Sequence, residues 1–169
     1  MFKFKTLQNN MLKTGFIAVM AVTSLNSIAQ ESPMTATIET KIINPAGLYD
    51  PSENGFSHIV VSKGGNSIVH FAGQGGEDKE GKLSPEFAKQ VEQAYDNLRI
   101  ALKAANVNPN QVAKLTTYVV NYDQSMLDVM TSHVVKTFGK ALPAQSLVPV
   151  PRLALDGMLF EVDAVAVTD

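Results

Sequence analysis

The clearest pattern of apolar positions in this chain is a helical one between Ser84 and Asn106. Ser84 is a good N-cap residue and Pro85 suits the first helical position. The apolar residues recur mostly at spacings of three and four, which places them on one face of a helix: Phe87, Val91, Ala94, Tyr95, Leu98, Leu102 and Ala105. The pattern predicts a long amphipathic helix that packs on a sheet.

Other runs are rich in β-branched residues and bounded by turn residues, which is typical of strands. They cover residues 38–43, 57–62, 67–72, 114–121, 145–150 and 158–167. Lys63-Gly64-Gly65-Asn66 separates the second run from the third and predicts a tight hairpin turn between them. A second helix is predicted from its cap at Asp123 to about Phe138, where Gly139 ends it.

The order of these elements predicts the fold class. Three strands, a helix, a strand, a helix and two strands indicate an α+β domain, a mixed sheet with both helices on one face. The other face of the sheet is left without cover by this arrangement. Because an exposed apolar sheet face favours association, we expect an oligomer.

The first residues have the pattern of a secretory signal peptide. Lys3, Lys5 and Lys13 precede or flank a short apolar run at residues 15–23, and Ser27-Ile28-Ala29 offers a cleavage site. We therefore expect residues 1–29 to be removed and the mature protein to be periplasmic or secreted, without stable membrane association. A membrane anchor is the alternative, although the run is short for a bilayer span. Met11 is an alternative start, because residues 11–30 form a complete signal.

The remaining chain divides into an N-terminal extension with the first strand, residues 30–43, and one domain, residues 44–169. The whole chain of 169 residues has a formal charge of −2. The charged residues of the predicted signal are all lysines, so its removal makes the net charge more negative. The mature chain is therefore mildly acidic, which argues against nucleic acid as a partner. The chain has no cysteine, which excludes disulfides, thiolate nucleophiles and cysteine-based zinc sites.

The sequence contains no motif that is typical of a metal or cofactor site. His58, His70 and His133 are the only histidines, and they lack metal-ligand spacing. There is no Gly-x-Ser-x-Gly motif, and the glycines at 73–76 lack the Gly-Lys-Ser/Thr ending of a phosphate-binding loop. We therefore expect no metal and no cofactor.

Six short motifs in order resemble those of the RidA family, also called YjgF, over residues 44 to 169. They are Phe56-Ser57-His58, Ala72-Gly73-Gln74, QAYDNL at 93–98, VAKLTTYV at 112–119, LPAQS at 142–146 and FEVDAVA at 160–166. The resemblance implies a chorismate-mutase-like fold and a homotrimer with ligand clefts between subunits. Its best-known members hydrolyse reactive enamines and imines and release ammonia.

The resemblance also implies site residues. The active deaminases bind the substrate carboxylate with an arginine in a Pro-Ala-Arg segment, where this chain has Gln145. An uncharged amide cannot replace the guanidinium fork, so carboxylate binding is expected to weaken by a few kcal/mol. Phe56 stands where deaminases have a tyrosine and Ala72 where they have a serine, and each replacement removes a hydroxyl. Glu161 matches the water-positioning glutamate, or else is an outward carboxylate on a half-exposed strand.

Two further residues are candidates for the same cleft. His58 follows Phe56 by two residues, and Arg152 is a substitute cation or an ordinary surface ion pair. Two functions remain open. Gln145 favours a small-molecule-binding trimer in which the deaminase reaction is lost, and the alternative is an imine-hydrolysing enzyme that uses Glu161 and water.

Overall fold

The computed structural model describes residues 37–169, so the predicted signal peptide lies outside the described residues. Six strands and two α-helices follow one another in the predicted order. They are β1 Glu39–Ile43, β2 Ile59–Lys63, β3 Ser67–Gly75, α1 Phe87–Ala104, β4 Val112–Val120, α2 Leu127–Phe138, β5 Ala144–Val150 and β6 Phe160–Thr168. The predicted elements are thus confirmed, with their ends shifted by a few residues.

The larger sheet has the strand order β3-β6-β4-β5. β6 pairs antiparallel with β3 and with β4, whereas β4 and β5 are parallel. β1 and β2 form a separate antiparallel pair. This confirms the predicted mixed sheet with two helices.

The predicted hairpin between β2 and β3 is wrong, because the two strands belong to different sheets. Gly64 has a φ of +80°, as the turn signal requires, but the chain then turns towards β6. Asn66 N–H donates to the Thr168 carbonyl, and a side chain at Gly65 would overlap Val167. Pairing of β3 with the central strand β6 therefore replaced the local pairing that the turn residues favoured.

The core lies between the helices and one face of the larger sheet. Its fully buried residues come from α1, α2, β4 and β6, and include Val91, Tyr95, Leu98, Met130, Val134, Leu115, Val119, Phe160 and Val162. Each buried aliphatic or aromatic side chain contributes about 1.5–3 kcal/mol relative to exposure. The same contacts fix which face of each strand points away from the helices.

The start of α1 differs from the prediction by two residues. The N-cap is Glu86, and the Ser84 hydroxyl accepts a hydrogen bond from Glu86 N–H at 3.2 Å. The buried Gln90 amide then donates to the carbonyls of Ser84 and Gly157, both at 2.7 Å, and accepts from Leu159 N–H at 2.8 Å. This side chain ties α1 to the chain just before β6, which carries Glu161.

The face of the larger sheet that points away from the helices is called the open face below. It is not the naked apolar surface expected from the element order. Ile68 is 65% exposed there, and polar residues interrupt the apolar ones. Its polar side chains are His70, Lys114, Thr116, Tyr118, Ser146, Glu161 and Asp163. In the predicted oligomer, the surface to be buried on this side would therefore contain both apolar and polar side chains. The number of subunits stays a prediction. No α-helix among residues 37–169 is long and apolar enough to cross a membrane.

Candidate functional site

The strand registers assign each candidate side chain to a face of the larger sheet. Thr117 is fully buried in the core and lies opposite Leu147 in β5 and Val162 in β6. Side chains alternate along a strand, so Gln145 and Leu147 lie on the same helix-covered face as Thr117. Tyr118 lies opposite Glu161, and both therefore belong to the open face.

A cavity of about 300 Å³ lies at the β5 edge on the helix-covered side. We call it the Gln145 cavity. Its lining consists of Tyr49, Asn54, Phe56, Tyr122, Leu127, Gln145 and Leu147. It thus brings together two of the predicted site residues, Phe56 and Gln145. A larger groove of about 600 Å³ beside β1 contains none of them.

Three rings form one wall of the Gln145 cavity and its support. The ring centroids of Tyr49 and Phe56 are 6.3 Å apart, and His58 packs edge-on against both, at 5.3 Å and 5.6 Å. His58 Nε2 donates to the Tyr49 carbonyl at 2.9 Å, and Asn44 Oδ1 accepts from His58 N–H at 2.9 Å. His58 therefore braces the wall and does not line the cavity.

Gln145 is half-buried in the wall of this cavity. Its Nε2 lies 3.4 Å from Thr117 Oγ1, and its Oε1 is buried without a hydrogen-bond partner among the described residues. Thr117 Oγ1 lies 3.3 Å from the Ser146 carbonyl. The hydrogen-bonding capacity of the Gln145 amide is therefore only partly used within the described residues.

Glu161 lies on the open face beside the glycine-rich end of β3. A side chain at Gly73 would overlap the carboxyl group of Glu161 where it now lies, so the absence of a side chain at Gly73 permits this close approach. Burial raises the pKa of Glu161, and the negative charges of Glu77 and Asp163 raise it further. A carboxyl group with a raised pKa is suited to general acid–base chemistry.

Glu77 is a neighbour of Glu161 that sequence reasoning missed. Its Oε2 is buried without a hydrogen-bond partner in the described part of the chain, in space that a side chain at Gly75 would fill. Asn97 on α1 holds this loop, because its Nδ2 donates to the carbonyls of Gly75 at 3.0 Å and Glu77 at 2.9 Å. No motif marked Glu77, since its place depends on the bulge between Phe71 and Gln74.

The open face also carries a polar network centred on Asp163. Its carboxylate accepts from Thr116 N–H at 3.1 Å and from the Tyr118 hydroxyl at 3.3 Å. The negative charge of Asp163 raises the pKa of Tyr118. Lys114 donates to Ser146 Oγ at 2.7 Å, and burial lowers its pKa while Asp163 opposes that shift.

The remaining predicted residues lie away from the Gln145 cavity. Ala72 is exposed on β3 next to Gly73, on the side of Glu161. Arg152 follows β5 and pairs with Asp156 at 3.1 Å, with both side chains largely exposed. The candidates therefore form two groups on opposite faces of the sheet, and Arg152 belongs to neither. Among residues 37–169, no three His, Cys, Asp or Glu side chains are grouped to hold a metal ion.

These features define an α+β chain with a small aromatic-walled cavity on one side of its sheet and a half-buried glutamate on the other. The family model described as Endoribonuclease L-PSP matches residues 49–168. The chain belongs to this family, which includes the RidA, or YjgF, proteins.

Named relatives agree with this assignment. The chain is 27% identical over 130 residues to the RutC family protein YjgH of Escherichia coli K12, covering 76% of this chain and 95% of that protein. The Rid family protein YyfB of Yersinia pestis is similar in structure, with a TM-score of 0.72, 31% identity and coverage of 76% of this chain and 98% of that one. RidA of Psychrobacter sp. PAMC 21119 has a TM-score of 0.54, 28% identity and coverage of 66% and 87%.

Proposed function

We propose that this protein is an exported, small-molecule-binding member of the RidA family that has lost most of the family's imine deaminase activity. The observation that carries the proposal is that Gln145 lines the cavity; the family resemblance implies that the deaminases have their arginine at this position. No Lys or Arg is among the described residues that line this cavity. A substrate carboxylate would therefore enter a largely apolar space without a counter-ion, which is unfavourable.

The ligand cleft of the proposed protein is completed by a neighbouring subunit. Gln145 and Glu161 lie on opposite faces of the sheet in one chain, so a cleft that contains both needs two chains. The open face, with apolar Ile68 and Val148 beside polar residues, supports association. A homotrimer agrees with the family resemblance. Light scattering of the mature protein is expected to give about three subunit masses, and a monomer at micromolar concentration would contradict the proposal.

An imine deaminase remains the second candidate, and Glu161 favours it. Because the pKa of Glu161 is raised, its carboxyl group is suited to moving a proton to or from water. Glu77, which contributes to that shift, adds a second carboxyl group nearby. In this case the substrate would be an uncharged imine, or a partner subunit would supply the missing cation.

Ammonia release from enzymatically generated iminoalanine separates the two candidates. The binding proposal predicts a rate close to that of the uncatalysed reaction. A high rate that falls on Glu161→Gln but not on Glu80→Gln would establish the deaminase instead. Glu80 is a suitable control because it lies on the same loop as Glu77 and pairs with Lys79 on the surface.

Export is part of the proposal and rests on the pattern of residues 1–29. Mass spectrometry of the protein from its native host is expected to find Gln30 or a neighbouring residue at the N-terminus. An intact Met1 or Met11 would contradict export by cleavage.

A further inference from the structure

Two polar residues of the QAYDNL motif at 93–98 join α1 to the loop that carries Glu77. Asn97 Nδ2 donates to the carbonyls of Gly75 at 3.0 Å and Glu77 at 2.9 Å. Gln93, one helical turn earlier, donates from its Nε2 to Asn97 Oδ1 at 2.9 Å. Because a carbonyl oxygen can only accept a hydrogen bond, the two carbonyls fix which atom of the Asn97 amide is the nitrogen. One oriented side chain of α1 therefore holds the end of β3 and the start of the loop.

The loop that follows β3 is also closed by its own hydrogen bonds. Glu77 and Leu83 form an isolated antiparallel bridge, and Asp78 N–H donates to the Lys82 carbonyl at 3.0 Å. The Asp78 carboxylate accepts from Lys82 N–H at 2.9 Å. These bonds join loop residues to one another, whereas the bonds from Asn97 attach the loop to α1.

The register of β3 and β6 places the Glu77 carboxyl group beside Glu161. Gly75 lies directly opposite Glu161, and Glu77 Oε2 lies where a side chain at Gly75 would be. Directly opposite residues of an antiparallel pair share a face, with β-carbons about 4.5–5.5 Å apart. The Glu161 carboxyl group itself lies over Gly73, two residues before Gly75. The two carboxyl groups are therefore neighbours at the glycine-rich end of β3. Burial raises the pKa of Glu161, and the charge of Glu77 raises it further, in agreement with this proximity.

We propose that Asn97 is a positioning residue, which keeps the Glu77 carboxyl group beside that of Glu161. Its hydrogen bonds go to backbone carbonyls, so it acts on Glu161 through the loop. A like charge kept nearby makes Glu161 hold its proton more strongly. This inference rests on the proposed function, in which Glu161 belongs to the ligand cleft, and it names what regulates that carboxyl group.

The test is a ¹³C titration of the Glu161 carboxyl group in the mature protein, in its native assembly and without ligand. Asn97→Leu keeps a side chain of similar size and removes both donors. We expect the pKa of Glu161 to fall towards its ordinary value, by no more than it falls in Glu77→Gln. Val134→Ala is the matched control, because Val134 is buried on α2 and its truncation loosens the core away from the loop. It should leave the titration unchanged.

A double variant decides whether Asn97 acts through Glu77. With Glu77→Gln already present, Asn97→Leu should cause no further shift, since the like charge is gone. An additive shift, an equal shift in Val134→Ala, or an unchanged titration in Asn97→Leu would overturn the inference and leave small-molecule binding intact. A fast wild-type hydrolysis of iminoalanine would instead overturn the proposed function and leave the role of Asn97 intact.

Asn97→Ser replaces Asn97→Leu where the latter fails to fold. Serine keeps one donor, so the pKa of Glu161 should move in the same direction by a smaller amount. An unchanged titration in this variant would equally overturn the inference.

Discussion

Gln145 and Glu161 project from opposite faces of the same four-stranded sheet. Gln145 lies opposite Leu115 in β4, which is fully buried under the helices, whereas Glu161 lies opposite Tyr118 on the open face. Residue 145 therefore does not face Glu161 within one chain. In the proposed assembly, a charge introduced at position 145 acts on the glutamate of another subunit or on a ligand that both chains contact.

Gln145→Arg should restore part of the family's reaction. We expect iminoalanine hydrolysis to rise about tenfold to a hundredfold over a nearly inactive wild type, since a hydrogen bond to a charged group contributes about 1.5–3 kcal/mol. Adding Phe56→Tyr should raise it further by restoring a hydroxyl. Gln145→Lys is the control, because it supplies the charge without the two-pronged geometry and should gain less. A fast wild-type reaction that is lost on Glu161→Ala would show that the arginine is dispensable.

The positions of the helices and strands along the chain were predictable from the sequence. The placement of the candidate site residues on two opposite faces of the sheet was not. The spacing of Val91, Leu98 and Leu102 predicts α1 because the buried face of a helix repeats every three or four residues. That pattern is visible within a short stretch of sequence. The face on which Gln145 lies depends on how β4 pairs with β5, which joins residues about 30 positions apart. For the same reason the turn at Gly64 was found while the strand pairing around it was not.

Glu77→Gln should lower the pKa of Glu161. Burial, the largest cause of the raised value, stays in the variant, so the shift is partial and the pKa moves towards its ordinary range. The measurement is a ¹³C titration of the Glu161 carboxyl group. Glu80→Gln removes an exposed carboxylate from the same loop and should leave the titration unchanged. An unaltered Glu161 pKa in Glu77→Gln would mean that the two carboxyl groups do not interact.

Gly76→Ala should destabilise the fold where α1 meets the glycine-rich loop. A β-carbon at Gly76 would lie 2.5 Å from Gln90 Cβ and 2.6 Å from Gln90 Cα, so helix backbone would have to move. Overpacking of this kind costs about 1–3 kcal/mol. Urea unfolding measures the loss, and Gly47→Ala is the control, because a β-carbon at Gly47 meets nothing within 4 Å. Equal stability of the two variants would contradict the packing described for Gln90.

His133 should make stability depend on pH. It stacks on Tyr95, and its Nδ1 is buried without a hydrogen-bond partner among residues 37–169. Burial is the main cause that lowers the pKa of His133, so the fold disfavours the protonated ring. Its contribution to stability is therefore complete above the ordinary value of about 6.5 and is lost as pH falls through that value towards the lower pKa of the folded state.

Replacing His133 tests this pH dependence. His133→Phe keeps a ring against Tyr95 and should flatten the fall in the urea midpoint below about pH 6.5. His70→Gln, at an exposed position on β3, should leave the fall as it is in the wild type. A wild-type slope retained in His133→Phe would assign the effect to other groups.

Cysteine cross-linking tests most directly whether the site is completed between subunits. The chain has no cysteine, so Gln145→Cys with Glu161→Cys introduces the only two thiols. Because the two positions lie on opposite faces of one sheet, a short bismaleimide cannot join them within a chain. The account predicts covalent dimers and trimers from the double variant, and far fewer from either single variant, on a denaturing gel. A double variant that stays entirely monomeric after treatment, while both thiols react with a monofunctional maleimide, would contradict it.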